Sequence, residues 1–390
     1  MGRVALLLFL ALAPQETALR SLDDAMESQL RDFKVPGGAL AVAKDGRLLY
    51  AKGYRRSDAD DPVAADALFR IASISKPVTA VAILDLVERG KLDLDAPAFA
   101  LLDLKPHVPE GAAVDPRLAR ITVRQLLHHT GGWDRNRSGD AMFRSVEIAR
   151  ALGLPPPAGA EAVIRFMMGQ PLDFDPGTRY AYSNLGYCVL GRVIEKVAGE
   201  PYEDHVKKAV LEPMGITRMR LGKSLLEDRA PGEVRYFQAD AKPRRSVFEK
   251  LGDAETPVPY GSFCIEAMDA HGGWLASAVD LAKFGSRLDR VLEPKSIEIM
   301  FAPPPVLKSG AVYYASGWQV RRMEGKGINA WHTGSLPGTA TLLVRRHDGF
   351  VWAALFNERS PQSGRIDGAL HGAADAVKAW PEGDAFPRFP

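Results

Sequence analysis

Apolar residues fall into two rhythms along this chain, and their order predicts a fold. Over residues 16–33 leucines recur among charges at helical spacing. The stretches 38–43 and 47–54 read instead as two strands, joined by Asp45-Gly46, a pair suited to a tight hairpin turn. The C-terminal part repeats the strand rhythm at 313–322, 329–333, 339–347 and 350–357, with Asp348-Gly349 as a second tight turn and a closing helix over 365–379. Between the two ends the spacing predicts helices. Val78, Val81, Ala82, Leu84 and Leu86 make one of them apolar enough to be buried, ended by Gly90. Others cover 122–128, 161–168 and 184–197, the last closed by Gly199. Ser277-Ala278-Val279-Asp280 has the form of a capping box ahead of Leu281, Phe284 and Leu288. Residues 230–270 carry proline, charge and aromatics with little periodicity, the composition of a lid or binding loop.

Strands at both ends, with helical and irregular sequence between them, predict an α/β (α+β) fold. Its antiparallel sheet of about five strands is built from both chain ends and flanked by helices. A single domain over 19–390 is expected, with 19–90 and 265–390 as the α/β part and 91–264 as a mostly helical, partly irregular insertion. Residues 1–18 read as an export signal: Arg3 carries a charge, 4–13 is an apolar run, and Ala11-Leu12-Ala13 offers a cleavage site. A periplasmic or extracellular location is therefore expected. Pro14 is a poor cleavage context, so a frayed N-terminal helix of a cytoplasmic protein is the alternative. The run is too short to span a bilayer, and no later segment is long and apolar enough.

With 390 residues and a net charge of +2, the chain can bury a large core and has no electrostatic reason to bind nucleic acid. Arg244-Arg245 and Arg345-Arg346 read as solvated surface pairs. Cys188 and Cys264 lie in apolar surroundings, which predicts buried free thiols. Neither Cys-x-x-Cys nor His-Glu-x-x-His occurs, so no zinc site is indicated.

Ser73-Ile74-Ser75-Lys76 sets a serine three positions ahead of a lysine, with Pro77 in the first turn of the buried helix. Side chains one turn apart share a face, so the amine can reach the hydroxyl and accept its proton without a histidine. An ordinary lysine, with a pKa near 10.4, must give up about 4 kcal/mol of proton affinity to act as a base at neutral pH, and desolvation can supply that. A capping serine beside a surface lysine is the structural alternative. Tyr182-Ser183-Asn184, the only Tyr-x-Asn in the chain, lies between a turn and a helix. Its phenol can relay a proton and its amide can donate to a carbonyl; the alternative is a capping pair beside a packing tyrosine. One His-x-Gly, at His347, is the Asp348-Gly349 hairpin turn; of those at His129, His271 and His332, only His332-Thr333-Gly334 lies on an expected strand, followed by Ser335. A strand there can supply a second oxyanion donor and pair with an extended substrate. The other two read as tight turns, that at His271 approaching the site.

In this order the three motifs resemble the serine β-lactamase and penicillin-recognising DD-peptidase superfamily. The nearest likeness is to class C β-lactamase-like hydrolases, which include esterases and D-amino-acid peptidases. Leu126-Leu127-His128-His129-Thr130-Gly131-Gly132 and Gly272-Gly273-Trp274-Leu275-Ala276-Ser277, leading into Asp280-Leu281, look like the family too, and the likeness covers nearly everything after residue 18. The resemblance implies Ser73 as acylated nucleophile, Lys76 as its proton partner and Tyr182 as base or relay. It implies the backbone N–H groups of Ser73 and Ser335 as oxyanion hole, and Asn184, His332, Thr333 and Gly334 as substrate contacts, with no metal or organic cofactor. Classical β-lactamases and DD-peptidases carry lysine where this chain has His332; a mostly neutral histidine attracts a carboxylate weakly. The expectation is a serine hydrolase forming an acyl-Ser73 on a small-molecule or peptide ester, amide or D-amino-acid peptide, with weak or no β-lactamase activity. A true β-lactamase, a DD-carboxypeptidase and a penicillin-binding sensor that never turns over are the alternatives. An α/β-hydrolase is disfavoured because Gly-x-Ser-x-Gly is absent. Specificity is expected to reside in 230–270 and near Trp133.

Overall fold

The computed structural model describes residues 19–59, 61–307, 310–359 and 365–389; the expected export signal at 1–18 lies outside them. Five strands follow one another near the C-terminus: β3 (Val312–Tyr314), β4 (Gln319–Met323), β5 (Gly327–Leu336), β6 (Thr339–Arg345) and β7 (Phe350–Phe356). Two more, β1 (Gly37–Lys44) and β2 (Arg47–Arg55), come from the N-terminal part and complete one antiparallel sheet in the order β2-β1-β7-β6-β5-β4-β3. The N- and C-terminal parts meet inside it, where the second strand, β1, pairs with the third, β7, from Gly38↔Phe356 to Lys44↔Phe350. The sheet has seven strands rather than about five, partly because the stretch expected at 313–322 is two strands parted at Ser316-Gly317. Gly317 takes φ +80°, and a Cβ there would stand 3.0 Å from the Lys76 carbonyl oxygen. The turn it makes presses on the lysine's own helix.

Side chains alternate across the pleat, so each face builds its own core. On one face Leu40, Val42, Leu342 and Trp352 pack with Leu22, Met26 and Leu30 of α1 (Arg20–Asp32) and with Ile366 and Leu370 near the C-terminus. On the other, Ala39, Ala41, Leu343, Ala353 and Leu355 meet Leu281 and Phe284 and the apolar helix α2 (Ser75–Glu88). Each buried Leu, Ile, Val, Met or Phe among them contributes about 1.5–3 kcal/mol on burial. Every residue of α2 from Ser75 to Leu86 is buried, as befits a helix that is apolar all round. It packs against α3 (Asn184–Ala198) of the central helical region, and one apolar core runs from this face of the sheet through both helices.

The caps expected from sequence are present. Gly199 ends α3 in the left-handed conformation, and Ser277 and Asp280 form a reciprocal capping box at the start of α4 (Ala278–Ser286). The closing helix, α5, spans Arg365–Ala376. Both cysteines are free and buried, and burial pushes each thiol up to about 12. Among the described residues no helix is long and apolar enough to cross a membrane, and no cluster of His, Cys, Asp and Glu could hold a metal ion.

Candidate active site

Residues Phe69–Arg70 are pinned before the chain reaches Ser73. They pair with the strand Trp274–Ala276, and the Ile71 N–H donates to the Trp274 carbonyl at 3.0 Å. Thr339 and Thr341 on β6 donate to the carbonyls of Arg70 and Ile71, each at 2.9 Å. Ala72 then takes φ +49°, a left-handed conformation that costs a residue with a Cβ about 1 kcal/mol. That reversal starts a 3₁₀ turn over Ala72–Ile74, which runs on into α2 with Pro77 in its first turn. Ser73 is left half-buried at the corner.

Lys76 is wholly buried, and its Nζ meets three oxygens: Ser73 Oγ at 3.1 Å, Asn184 Oδ1 at 2.8 Å and the His271 carbonyl at 2.9 Å. The last two can only accept. A neutral amine has two N–H groups and one lone pair. With both N–H groups given to Asn184 and His271, the lone pair is left for the Ser73 hydroxyl. Burial holds the amine well below its ordinary range, Asp140 opposing the shift and Arg135 adding to it. Asn184 is itself held, its Nδ2 donating to Asp140 Oδ2 at 2.6 Å. Both ends of this amide are thus engaged, with the lysine on one side and a carboxylate on the other.

Tyr182 comes from the segment before α3 and lies half-buried, its ring centre 4.8 Å from Lys76 Nζ. Burial raises its phenol above the ordinary range, against opposition from a hydrogen bond with Ser73 and from Arg135. It is therefore a protonated phenol at neutral pH, a donor rather than a resident base. His129 packs against it with ring centres 4.3 Å apart and accepts the Ser183 N–H on Nδ1 at 3.2 Å. The turn at His129 is as expected, with φ +56°, and it also forms the floor beneath the tyrosine. The second expected turn does approach the site: the His271 carbonyl is one of the three lysine partners.

Strand β5 closes the other side. Its pairing with β4 ends at Trp331↔Gln319, while pairing with β6 continues to Leu336↔Thr339. Residues 332–336 therefore present one open backbone edge, able to add an extended ligand as a strand. The strand lies hard against the nucleophile segment. A Cβ on Gly334 would stand 2.2 Å from the Ile71 carbonyl oxygen, so only glycine lets Ser335 come this near the Ser73 corner. His332 is buried; its Nδ1–H donates to the Thr333 carbonyl at 2.7 Å, and its Nε2 accepts from the Tyr314 hydroxyl at 3.0 Å. Burial lowers its pKa to about 3, with Lys76 adding to the effect. The ring is neutral and already bonded at both nitrogens, so the weak, pH-dependent attraction expected of it is absent at neutral pH. Thr333 and Ser335 point to solvent.

The structure thus brings Ser73, Lys76, Tyr182, Asn184 and the 332–335 edge together. Sequence reasoning missed Asp140, Arg135 and Tyr314, which belong to no motif. It missed as well how the 230–270 segment is moored. The buried Arg70 guanidinium donates to the carbonyls of Pro259 at 2.5 Å and Lys223 at 2.7 Å, and the Tyr236 hydroxyl accepts the Arg70 N–H at 2.7 Å.

The Beta-lactamase family model matches residues 22–376, nearly the whole chain. The chain belongs to the Beta-lactamase family. Among curated members, esterase EstB of Burkholderia gladioli is 34% identical over 201 residues, covering 50% of this chain and 49% of EstB. Penicillin-binding protein 4* of Bacillus subtilis is 27% identical over 319 residues, covering 80% of this chain and 65% of that protein. The chain thus spans between half and two thirds of the length of these relatives. Among solved structures, the octameric penicillin-binding protein homologue from Pyrococcus abyssi superposes with a TM-score of 0.69 at 27% identity, covering 93% of this chain and 77% of its own. The antiparallel sheet with flanking helices is the architecture of this β-lactamase and transpeptidase-like group.

Proposed function

We infer that this member of the Beta-lactamase family is a serine hydrolase that works through an acyl-Ser73 intermediate on an ester, amide or D-amino-acid peptide. The contact that carries the reading is Lys76 Nζ at 3.1 Å from Ser73 Oγ, with its N–H groups committed to Asn184 and His271. In acylation the Oγ–H proton passes to Lys76, and Oγ bonds to the acyl carbon. The backbone N–H groups of Ser73 and Ser335 hold the oxyanion. As the intermediate collapses, the bond to the leaving oxygen or nitrogen breaks, and that atom takes the Tyr182 phenol proton. The proton held on Lys76 then passes back to the Tyr182 phenolate, restoring a neutral amine and a protonated phenol for deacylation. Water then repeats the sequence in reverse, returning the proton to Ser73 Oγ and releasing the acid.

β-Lactamase activity is expected to be weak, since His332 is neutral, with Nε2 bonded to Tyr314, and offers no fixed cation to a carboxylate. The name of EstB, an esterase, favours ester substrates. Assay of the purified protein against a p-nitrophenyl ester, a chromogenic cephalosporin and a D-alanyl dipeptide, with Ser73→Ala as control, tests the reading. Sustained ester hydrolysis lost in Ser73→Ala supports it; hydrolysis surviving Ser73→Ala refutes it. A burst of one acyl group per chain without turnover identifies a penicillin-binding sensor instead. Export is the reading favoured by the apolar run at 4–13, tested by N-terminal sequencing of protein recovered outside the cytoplasm.

A further inference from the structure

One cation at the cleft carries none of the proton transfers assigned above, although its charge lowers the proton affinity of Lys76 and Tyr182. Arg135 opens the short helix Arg135–Ser138 at the mouth of the site, and its guanidinium carbon lies 4.7 Å from the centre of the Tyr182 ring. Its side chain is exposed, and among the described residues it forms no ion pair. The acids around it are committed elsewhere. Asp134 accepts the Asn136 N–H at 3.0 Å and Arg179 at 2.9 Å. Asp173 accepts the Asp134 N–H and the Ser138 hydroxyl, each at 2.8 Å. Asp140 accepts from Asn184 and caps the Met142 N–H at 3.1 Å. Arg137, next along the helix, spends its guanidinium on the Asp173 carbonyl at 3.1 Å. Of this group Arg135 alone is turned onto the Tyr182 ring, and among the described residues none of its N–H groups has a hydrogen-bond partner.

The opposite wall makes that charge the more telling. His332 is buried, neutral and bonded to Tyr314, so strand β5 offers backbone groups and hydroxyls but no fixed positive charge. The remaining cation near the nucleophile is Lys76, which is wholly buried and held toward its neutral form.

We propose that Arg135 is the specificity residue for anionic substrates, its guanidinium receiving a carboxylate on the acyl chain of the ester or amide that acylates Ser73. A planar guanidinium donates two parallel hydrogen bonds to a carboxylate, which a flexible ammonium cannot reproduce. The inference rests on the acyl-serine reading and deepens it. Reading of the substrate's charge lies on the helical side of the cleft, and strand β5 is left to align the backbone of the acyl group.

The test compares p-nitrophenyl butyrate with mono-p-nitrophenyl glutarate, which share a leaving group and differ in whether the acyl chain ends in a carboxylate. The quantity read is kcat/KM for the anionic ester divided by that for the neutral one. Arg135→Gln should lower this ratio about tenfold, equivalent to about 1.4 kcal/mol, and mainly through KM. Arg135→Lys should restore part of it. Added salt should lower the wild-type ratio, because the cation is exposed. Free glutarate should inhibit wild type competitively where glutaramide does not, and Arg135→Gln should relieve that inhibition. A ratio unchanged in Arg135→Gln overturns the proposal. So does an equal fall for both esters, which would mean that the arginine acts through Tyr182 rather than on the substrate. Calorimetric binding of glutarate to Ser73→Ala and to Arg135→Gln separates the two levels of the argument. Hydrolysis surviving in Ser73→Ala refutes the acyl-serine reading, whereas glutarate binding equally to Ser73→Ala and Arg135→Gln refutes the anion site.

Discussion

Replacing Lys76 by arginine isolates the proton-acceptor role of the amine. An ordinary lysine is unprotonated in only about one molecule in 2,500 at pH 7, so a base at this position depends on its surroundings. Here Nζ is wholly buried, touches no carboxylate, and faces two obligate acceptors and one hydroxyl. An arginine would keep hydrogen bonds to Asn184 and His271, but its guanidinium stays protonated and has no lone pair to offer Ser73. General-base assistance is worth about 10²–10⁴ in rate, so Lys76→Arg should lose at least about 100-fold in kcat/KM on a neutral ester. In the proposed mechanism Lys76 acts unprotonated, and burial lowers its proton affinity, so wild-type activity should rise with pH as the amine loses its proton. It should fall as the pH drops through that point. The variant should be flat over the same range. The assay is kcat/KM for p-nitrophenyl butyrate across pH 5–10, alongside thermal melts to confirm that the variant folds. A folded Lys76→Arg protein within tenfold of wild type, or wild-type activity that declines as the pH is raised from acid to neutral, would refute the reasoning.

Three further outcomes follow from contacts around the site. Asn184→Ala removes one acceptor from Lys76 and the partner of Asp140; leaving buried groups unpaired costs about 1–3 kcal/mol, so steady-state assays should find kcat lower by about 10- to 100-fold. Gly334→Ala forces a Cβ to within 2.2 Å of the Ile71 carbonyl oxygen and 2.1 Å of Thr341 Oγ1, so β5 must recoil. Melting should report a loss of about 1–3 kcal/mol, and kcat/KM should fall by more than stability alone explains. Acid should destabilise the fold, because burial lowers His128 to about 4 and His332 to about 3. Their stabilising effect is complete above about pH 6.5, where both folded and unfolded forms are neutral, and is lost as the pH falls toward the folded values. Each should cost about 2 kcal/mol by about pH 5, and a Tm unchanged between neutral pH and pH 5 would contradict this.

Much of the fold was legible because it rests on local signals. Asp45-Gly46 and Asp348-Gly349 mark hairpin turns, Gly199 a left-handed cap, and Ser277 with Asp280 a capping box, each decided by a few neighbouring residues. The division of 313–322 into two strands was not legible, because it depends on Gly317 meeting α2, a contact between segments far apart in sequence. The site divides in the same way. Ser73 and Lys76 share one helical turn, so their spacing shows that they can meet. Asn184 was read as a substrate contact, yet its partners come from Asp140 and Lys76, on separate segments that only the folded chain brings together. His332 was read as a weak cation because an isolated imidazole titrates near neutrality. Burial and Tyr314, eighteen residues earlier, remove that charge.

The proposed reaction requires Ser73 to carry the acyl group. Rapid acid quenching of the protein during turnover of a p-nitrophenyl ester, followed by mass spectrometry of its peptides, tests it directly. One acyl adduct is expected on the peptide containing Ser73, absent in Ser73→Ala and accumulating more slowly in Lys76→Arg. An adduct on another residue, or hydrolysis of the ester by Ser73→Ala at the wild-type rate, would contradict it.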